Sequence, residues 1–310
     1  MSTSISEDRR GTPLTGVICK GVGGFYYVHT EQGVYASKAR GLFRKKNFTP
    51  LAGDRVTIAV THEGDREAFI ESVEPRRNAL IRPPVANIER MFVVVAATSP
   101  EPSTLMIDKT IAICEKKEID PVLVINKVDL DPAEWLVELY TKAGFTVLRT
   151  SAETGAGVEE VKRHIAGRLC AFAGHSGVGK SSILNRLMPE PVAEVGGLSE
   201  KLERGKHTTR HVELFFCAGG MIADTPGFGD ISLERFEPVY KDEVFDCFRE
   251  FEPYFGQCRF SGCWHDQEPD CAIKAAVEAG DIARSRHESY LTMLHDVQEL
   301  KEWEIDAKSK

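Results

Sequence analysis

The sequence contains no apolar run that approaches the roughly 18 residues needed to cross a membrane. Its first 13 residues lack the apolar stretch of a secretory signal, so we expect a cytoplasmic protein. It also lacks a lipidation motif and an amphipathic anchor, which disfavours a membrane-associated signalling protein. We therefore expect no membrane partner.

An excess of positive charge is missing as well. With 39 basic and 47 acidic residues, the net charge of −8 disfavours a nucleic-acid partner for the chain as a whole. The charge is uneven, however, because residues 38–46 read KARGLFRKK and a second basic group comprises Arg76, Arg77 and Arg82. Either group alone is typical of a solvated loop.

A disulfide framework is not expected, because the eight cysteines belong to a chain that we place in the cytoplasm. Five of them are scattered, several within apolar runs, and we interpret them as buried core thiols. They are Cys19, Cys114, Cys170, Cys217 and Cys247. The other three form a cluster near the C-terminus.

The 310 residues are enough for two or three domains, and the composition changes along the chain. Residues 14–80 contain about five short alternating runs separated by glycine turns. This pattern suits a small closed β-barrel of the oligonucleotide-binding (OB) kind, although alternation alone does not distinguish it from other small barrels. We assign residues 1–82 to this domain.

Strands and helices alternate in the central part, which predicts a parallel α/β sheet over residues 83–231. The apolar run Met91–Ala97 is typical of a strand buried on both faces. Ser103 is predicted to cap the next helix, and Asp131 and Pro132 to open a later one. Residues 232–310 have few strand signals, and we interpret them as a mostly helical third domain.

The segment GHSGVGKS, Gly174 to Ser181, lies between a predicted strand and a predicted helix, as a phosphate-binding loop requires. Its glycines let backbone N–H groups surround phosphates at a helix N-terminus. We expect Lys180 to reach the β- and γ-phosphates and Ser181 to bind Mg²⁺.

The segment NKVD, Asn126 to Asp129, ends a predicted strand and indicates guanine recognition. The Asp129 carboxylate can accept two hydrogen bonds from guanine, and adenine lacks that pair of donors. Asn126 would brace the loop and the base, and the stem of Lys127 would pack on the ring. After the next strand, a backbone N–H of Ser151 or Ala152 can meet the guanine O6.

The segment DTPG, from Asp224 to Gly227, predicts an Mg²⁺ ligand in Asp224 and a γ-phosphate sensor in Gly227. The polar segment 196–210 fits a switch loop, with Thr209 favoured over Thr208 as a further Mg²⁺ ligand. Phe228 follows DTPG and cannot orient a water molecule, so we expect slow unaided hydrolysis. His207 is the nearest candidate to complete the site.

Together these motifs predict a GTP or GDP site made by the following residues: Asn126, Lys127, Val128, Asp129, Ser151, Ala152, Gly174, His175, Ser176, Gly177, Val178, Gly179, Lys180, Ser181, Ser182, Asp224 and Gly227.

Four soft ligands, Cys258, Cys263, His265 and Cys271, fall within 14 residues in the pattern Cys-x4-Cys-x-His-x5-Cys. Three thiolates and an imidazole suit one tetrahedral, structural Zn²⁺. Unligated thiols are the alternative, and the histidine disfavours an iron–sulfur cluster. A small domain with a thin core would need such a metal in order to fold.

The order of the motifs is unusual, because NKVD precedes the phosphate loop, whereas in ordinary GTPases it follows. With the barrel before these motifs and the cysteine cluster after them, the chain resembles the RsgA (YjeQ) family of circularly permuted GTPases. The resemblance runs from about Leu14 through the cysteine cluster and includes GHSGVGKSS, GKHTTR, DTPGF and CRFSGCWHDQEPDC. It implies an OB-fold barrel, a permuted α/β GTPase domain and a helical zinc-binding domain.

The resemblance also implies GTP hydrolysis coupled to late maturation of the 30S ribosomal subunit, with contacts to 16S rRNA. It implies stimulation by that subunit and a catalytic role for His207, beside Lys180 and Thr209, although a ribosomal group remains the alternative for positioning the water. We expect a monomer. A competing hypothesis is an RNA-binding module whose guanine-nucleotide site is static and structural.

Overall fold

A computed structural model describes the chain over residues 13–41, 43, 48–62, 64–188, 212–224 and 239–297. Five strands near the N-terminus form a closed barrel in the order β1-β2-β3-β5-β4, with β3 and β5 parallel and the other pairs antiparallel. Alternate side chains point inward around Ile18, Val28 and Ile58. The predicted OB-fold barrel is confirmed. Its strands are β1 Pro13–Val22, β2 Phe25–Thr30, β3 Gly33–Ala39, β4 Arg55–His62 and β5 Glu67–Val73.

The aromatic residues of β2 lie only partly in the core of the barrel. Phe25, Tyr26 and Tyr27 are all half-buried, and of these only Tyr26 packs against the barrel core. Lys38 lies over the Phe25 ring at 4.7 Å, and Lys20 over the Tyr27 ring at 5.4 Å. Two of the three rings therefore carry cations on the barrel surface instead of filling the core.

A six-stranded sheet follows in the order β10-β9-β8-β11-β13-β12, parallel except for β12. Residues of β8 alternate between two cores: Val93 packs with helices α1 and α2, and Val94 packs with α3 and α4. The predicted parallel α/β architecture is confirmed. Its elements are β8 Arg90–Ala96, α1 Thr104–Lys116, β9 Asp120–Asn126, α2 Glu134–Lys142, β10 Thr146–Arg149, α3 Val158–Ile165, β11 Leu169–Ala173, α4 Lys180–Leu187, β12 Glu213–Cys217 and β13 Gly220–Asp224. Between the barrel and this sheet, β6 Ala79–Leu80 and β7 Val85–Ala86 form a separate two-stranded antiparallel sheet.

Helix α2 begins at Glu134, later than the Asp–Pro pair that was expected to open it. The Asp131 carboxylate accepts a hydrogen bond from the Ala133 N–H at 2.6 Å, and Ala133 has a left-handed φ of 48°. The pair therefore forms a turn ahead of the helix. Ser103 does occupy the N-cap of α1, but its side chain makes no capping hydrogen bond.

The barrel packs against the edge of the sheet. Lys20 of β1 forms an ion pair with Glu213 of β12 at 2.7 Å, and the rings of His29 and Phe216 lie 4.0 Å apart. The Lys20 pKa is raised by this hydrogen bond to Glu213. Strand β12 is thus the edge strand of the sheet, paired with β13 and in contact with β1 of the barrel.

Within residues 239–297, the described part of the C-terminal region, there are three 3₁₀ segments, Lys241–Glu243, Phe245–Cys247 and Arg249–Tyr254, and helices α5 Ala272–Ala279 and α6 Arg284–Asp296. Its apolar side chains share one core with α1. The domain boundaries proposed from the sequence stay predictions. Among the described residues, no helix is long and apolar enough to span a membrane.

The five scattered cysteines are all buried, as predicted. Burial raises the pKa of Cys19 to about 11 and the pKa values of Cys170 and Cys247 to about 12. Thiols with such pKa values stay protonated at neutral pH and behave as small apolar side chains.

Candidate functional site

The motifs predicted to bind nucleotide meet at one edge of the sheet. Strands β9, β10, β11 and β13 run parallel, so the segments that follow them emerge on the same side. The strand order reverses between β8 and β11, and such a reversal creates a crevice at the carboxyl ends of the strands. The sheet topology therefore brings together motifs that are up to about a hundred residues apart in sequence.

Glycines make the turn of the phosphate loop possible between β11 and α4. Gly174 has a φ of 142°, and a Cβ added there would lie 2.2 Å from the Val94 carbonyl oxygen. Gly179 has a φ of 99°, and its Cβ would lie 2.1 Å from the Asn126 Nδ2 atom. Both positions therefore exclude larger residues, by backbone conformation and by close approach. The N-terminus of α4 follows at once, with Lys180 as its first residue.

The Lys180 ammonium folds over this loop. Its Nζ donates hydrogen bonds to the carbonyl oxygens of Gly174 at 2.5 Å and His175 at 2.8 Å. Burial lowers its pKa. Of its neighbours, His175, Ser181 and Ser182 are half-buried, Val178 is buried, and Ser176 and Gly177 are exposed. Each residue predicted between 174 and 182 thus lies on the loop or the first turn of α4.

Asn126 connects three of the loops. Its Nδ2 donates to the Val178 carbonyl oxygen of the phosphate loop at 2.9 Å. Its Oδ1 accepts from the Ala152 N–H at 3.0 Å and from the Thr150 hydroxyl at 3.3 Å. One buried amide therefore fixes the relative positions of the NKVD, SAE and phosphate loops. The predicted bracing role of Asn126 has a structural basis in these three hydrogen bonds.

Lys127 and Asp129 project from the NKVD loop in different ways. Lys127 has a left-handed φ of 66°, and its Nζ donates a hydrogen bond to the Ser99 carbonyl oxygen. The Val128 N–H donates to the Thr150 carbonyl oxygen at 3.2 Å. Asp129 is exposed, so its carboxylate is accessible to a base. No sequence pattern predicts Ser99 as the partner of Lys127.

The expected backbone donors to guanine O6 already have acceptors. Ser151 is fully buried and its N–H donates to the Ala156 carbonyl oxygen at 3.0 Å, while the Ala152 N–H donates to Asn126. A hydrogen bond to O6 would therefore have to share or replace one of these contacts. The Ser151 hydroxyl accepts from the Thr154 N–H at 3.1 Å, which closes the SAE turn.

A cavity of about 340 Å³ lies beside the phosphate loop. Its walls come from the end of β8, the following loop, the start of α1 and the phosphate loop itself, and they are mainly apolar. The lining residues are Val93–Ala96, Pro100–Ser103, Met106, Ile107, Thr110, Gly174–Ser176 and Val178.

Several predicted residues lie outside the described part of the chain: His207, Thr208, Thr209, Gly227 and Phe228. Asp224 ends β13 next to β11, which places its backbone at the nucleotide edge. The roles of these residues in catalysis and Mg²⁺ binding stay predictions.

The four predicted metal ligands converge in the C-terminal region. The ligand atoms of Cys258, Cys263, His265 and Cys271 all lie within 4.8 Å of one another. His265 Nδ1 is 3.6 Å from the Cys258 sulfur and 3.3 Å from the Cys271 sulfur, and these two sulfurs are 3.9 Å apart. Tetrahedral Zn²⁺ with ordinary bond lengths requires ligand separations of roughly 3.5–3.8 Å. The cluster therefore fits a closed, structural metal site.

Neighbouring groups hold these ligands in place. The Ala272 N–H, at the start of α5, donates to the Cys258 sulfur at 3.3 Å. The Glu268 carboxylate accepts from the Trp264 N–H at 2.8 Å and the Asp266 N–H at 3.1 Å, which stabilises the ligand loop. Burial raises the pKa of Cys263 to about 12, so a bound cation would have to stabilise its thiolate.

Known proteins are similar to this chain in sequence and in fold. A family model described as the RsgA GTPase matches residues 73–234, and one described as the RsgA N-terminal domain matches residues 15–70. A protein of Alkaliphilus metalliredigens named small ribosomal subunit biogenesis GTPase RsgA is 42% identical over 288 residues, covering 91% of this chain and 97% of that protein. A protein of the same name from Geobacillus thermodenitrificans is 44% identical over 292 residues, with coverages of 92% and 98%.

Two solved structures agree over nearly the whole chain. YjeQ from Thermotoga maritima superposes with a TM-score of 0.80 at 35% identity, covering 94% of this chain and 100% of that one. YloQ, described as a circularly permuted GTPase, superposes with a TM-score of 0.79 at 31% identity, with coverages of 96% and 99%.

Proposed function

The chain belongs to the RsgA family of GTPases, and on that premise we propose that it hydrolyses GTP while bound to the small ribosomal subunit. In this proposal it acts in the cytoplasm as a monomer, at a late checkpoint in maturation of the subunit. The observation that carries the GTPase assignment is the Asn126 side chain, which joins three nucleotide-binding loops in permuted order.

For hydrolysis we assign each group a role that its position supports. Lys180 would release the carbonyls of its own loop and bind the β- and γ-phosphates, which are stronger acceptors. Mg²⁺ would neutralise phosphate charge, held by Ser181, Thr209 and Asp224. His207 would position the attacking water, because Phe228 cannot do so.

We further propose that Zn²⁺ occupies the Cys258–Cys271 cluster. Three thiolates and one imidazole leave no coordination position open for substrate, so the metal would stabilise the fold and take no part in the reaction.

Contacts with 16S rRNA would come from the barrel and the metal-binding region. The Lys38–Phe25 pair supports this, because it places a cation and a half-buried aromatic ring together on the barrel. Lys20, which lies over Tyr27, is already paired with Glu213. Phosphates attract such cations, and unpaired bases stack on aromatic rings.

The decisive measurement is GTP turnover by the full chain alone, with purified small subunits and with purified large subunits. We expect slow turnover alone and stimulation by the small subunit. Stimulation by neither subunit would contradict the ribosomal role. The GTPase assignment would then depend only on whether the chain hydrolyses GTP without ribosomal subunits.

The Asp129→Asn variant distinguishes a switch from a static nucleotide site. This variant should lose affinity for GTP and gain affinity for XTP. In xanthine, the base of XTP, a 2-oxo group replaces the amino group of guanine, and the amide N–H introduced by the substitution can donate a hydrogen bond to that oxygen. Glu138→Gln, which removes an exposed carboxylate from α2, is the control. Subunit binding that stays independent of GTP analogues in both variants would favour an RNA-binding module with a static site.

A further inference from the structure

Helix α1 contacts two different parts of the molecule. At its N-terminal end, Ser103, Met106 and Ile107 line the cavity whose opposite wall is the phosphate loop. Another side of the same helix lies against the C-terminal region, with which it shares a core. Any shift of α1 on the C-terminal region would therefore change the cavity beside the phosphate loop.

In the described part of the chain, four ion pairs connect α1 to the C-terminal region. The α1 residues have the spacing i, i+1, i+7 and i+8, which places them along one stripe of a helix. The pairs are Asp108–Arg286 at 2.6 Å, Lys109–Asp296 at 2.5 Å, Glu115–Arg249 at 2.6 Å and Lys116–Glu243 at 2.5 Å.

The Arg286 side chain is the buried centre of this contact and is only 1% exposed. Its Nη1 donates to the Asp108 carboxylate at 2.6 Å, and its Nε and Nη2 donate to the two oxygens of Glu250 at 2.6 and 3.1 Å. The Tyr140 hydroxyl also donates to Asp108, at 2.8 Å. Because buried charges are costly without partners, this arrangement strongly favours one position of α6 on α1.

The same turn of α6 also holds the metal-ligand loop. His287 Nε2 donates to the carbonyl oxygen of the ligand His265 at 2.8 Å, and the Tyr290 hydroxyl donates to the Trp264 carbonyl oxygen at 3.0 Å. Adjacent residues of α6, Arg286 and His287, thus contact α1 and the ligand loop. One turn of α6 therefore makes hydrogen bonds both to the ligand loop and to α1, and the covalent chain of α6 joins the two sets of contacts.

We propose that the metal cluster and the nucleotide site are energetically linked through α6, Arg286 and α1, so that the metal-loaded chain binds guanine nucleotide more tightly. This inference rests on the proposed nucleotide site. An ordered ligand loop holds α6, α6 holds α1 through Arg286, and α1 fixes the cavity wall opposite the phosphate loop. Because linkage is reciprocal, GDP should raise the affinity for Zn²⁺ by the same factor.

The test measures two affinities of the full chain. The dissociation constant of a fluorescent GDP analogue is determined for the Zn²⁺-loaded and the chelator-stripped protein, and the affinity for Zn²⁺ is determined with and without GDP by chelator competition. We expect each affinity to change by at least about fivefold. In Arg286→Gln, the ratio of GDP affinities with and without Zn²⁺ should approach 1, and so should the ratio of Zn²⁺ affinities with and without GDP. Lys162→Gln, which removes an exposed ion pair with Glu159 on α3, should keep the wild-type ratios.

A second series covers the case in which Arg286→Gln does not fold. Lys109→Glu and Asp296→Lys each break the more exposed pair between α1 and α6, and the double variant restores it with reversed charges. The single variants should reduce the linkage and the double variant should recover it. Linkage that is absent from the wild type, or unchanged in both single variants, would overturn this inference and leave the proposed function intact. A loaded protein that binds no guanine nucleotide would overturn both.

Discussion

The nucleotide edge and the C-terminal contact are held together by different kinds of interaction. At the nucleotide edge, the neutral amide of Asn126 pairs mainly with backbone groups of neighbouring loops. At the C-terminal contact, the charged side chains of Arg286, Asp108 and Glu250 pair with each other out of solvent. One region uses short-range neutral hydrogen bonds, and the other uses buried charge.

This difference determines how each region responds when one hydrogen-bond or ion-pair partner is removed. A neutral hydrogen bond contributes about 1 kcal/mol net, so loops joined by a few of them can exchange partners when phosphate binds. A buried charge that loses its partner costs about 3–5 kcal/mol, so the C-terminal contact should be made completely or lost. The nucleotide edge should therefore be adjustable, whereas the C-terminal contact should be close to all-or-none.

Removing the metal should produce the largest effect and show whether the C-terminal contact is all-or-none. Cys263→Ser, or chelation, removes a structural interaction that contributes about 10 kcal/mol in small zinc modules. We expect amide protection to disappear from α5 and α6 and to persist in the central sheet, as measured by hydrogen exchange. Cys217→Ser, which alters a buried thiol outside the cluster, is the control. Amide protection that persists in α6 after the metal is removed would contradict the prediction that the C-terminal contact is all-or-none.

Gly179→Ala should produce the next largest effect, at the nucleotide edge. The added Cβ would collide with Asn126 and the residue would keep a strained φ, so we expect nucleotide affinity to fall by about a hundredfold. Gly280→Ala is the matched control, because Gly280 has a φ of 83° with open space around its Cα. Titration with a fluorescent nucleotide would compare them, and equal losses would mean that backbone strain alone is responsible.

Asn126→Ala should weaken nucleotide binding by about tenfold to thirtyfold, because two or three modest hydrogen bonds are lost. Asn78 offers a matched control, since its buried amide pairs in the same manner with Ile88, at 2.8 and 3.0 Å. Calorimetry and thermal melting should show similar losses of stability in both variants and a loss of affinity only for Asn126→Ala. If both variants lost nucleotide affinity, the hydrogen bonds of Asn126 between the loops would have no specific role in nucleotide binding.

Glu115→Gln should produce the smallest effect, in the pH dependence of stability. Burial raises the Glu115 pKa above its usual 4.5 despite the ion pair with Arg249. The folded state therefore holds this proton more tightly, and the contribution of this group to stability falls as the pH rises through its folded pKa. The variant should remove that decline, a difference of about 2 °C in melting temperature at most. Glu159→Gln, at an exposed position, should follow the wild type; identical profiles for all three proteins would contradict the prediction.

Local sequence patterns predicted the motifs well, because their chemistry depends on neighbouring residues. The phosphate loop lies between a strand and a helix, as expected, and the spacing of Cys258, Cys263, His265 and Cys271 matched a cluster that the fold brings together. The order of these motifs, with the barrel before them and the cysteine cluster after them, indicated the family. The barrel and the parallel sheet followed from alternation and from apolar runs.

Contacts between distant residues were not predictable from those patterns. Asp108 and Arg286 are 178 residues apart, and each resembles an ordinary charged residue on a helix. The pairing of Lys127 with Ser99 depends on how the loop after β8 packs beside the NKVD loop. The barrel buries Tyr35 and leaves Phe25 and Tyr27 beneath lysines, and the spacing of these aromatic residues does not distinguish the two environments. Such outcomes depend on three-dimensional packing, which a single sequence does not encode in any local spacing.

The position of the barrel against β12 has a consequence for synthesis and solubility. An edge strand that bears a large ring such as Phe216, which stays 48% exposed even beside the barrel, can add strands from other molecules and begin aggregation. The ribosome synthesises the barrel well before β12, so the barrel can already be folded when β12 emerges. A chain from which the barrel had been deleted should therefore precipitate more readily. The barrel would thus reduce aggregation of the central sheet through β12 during folding.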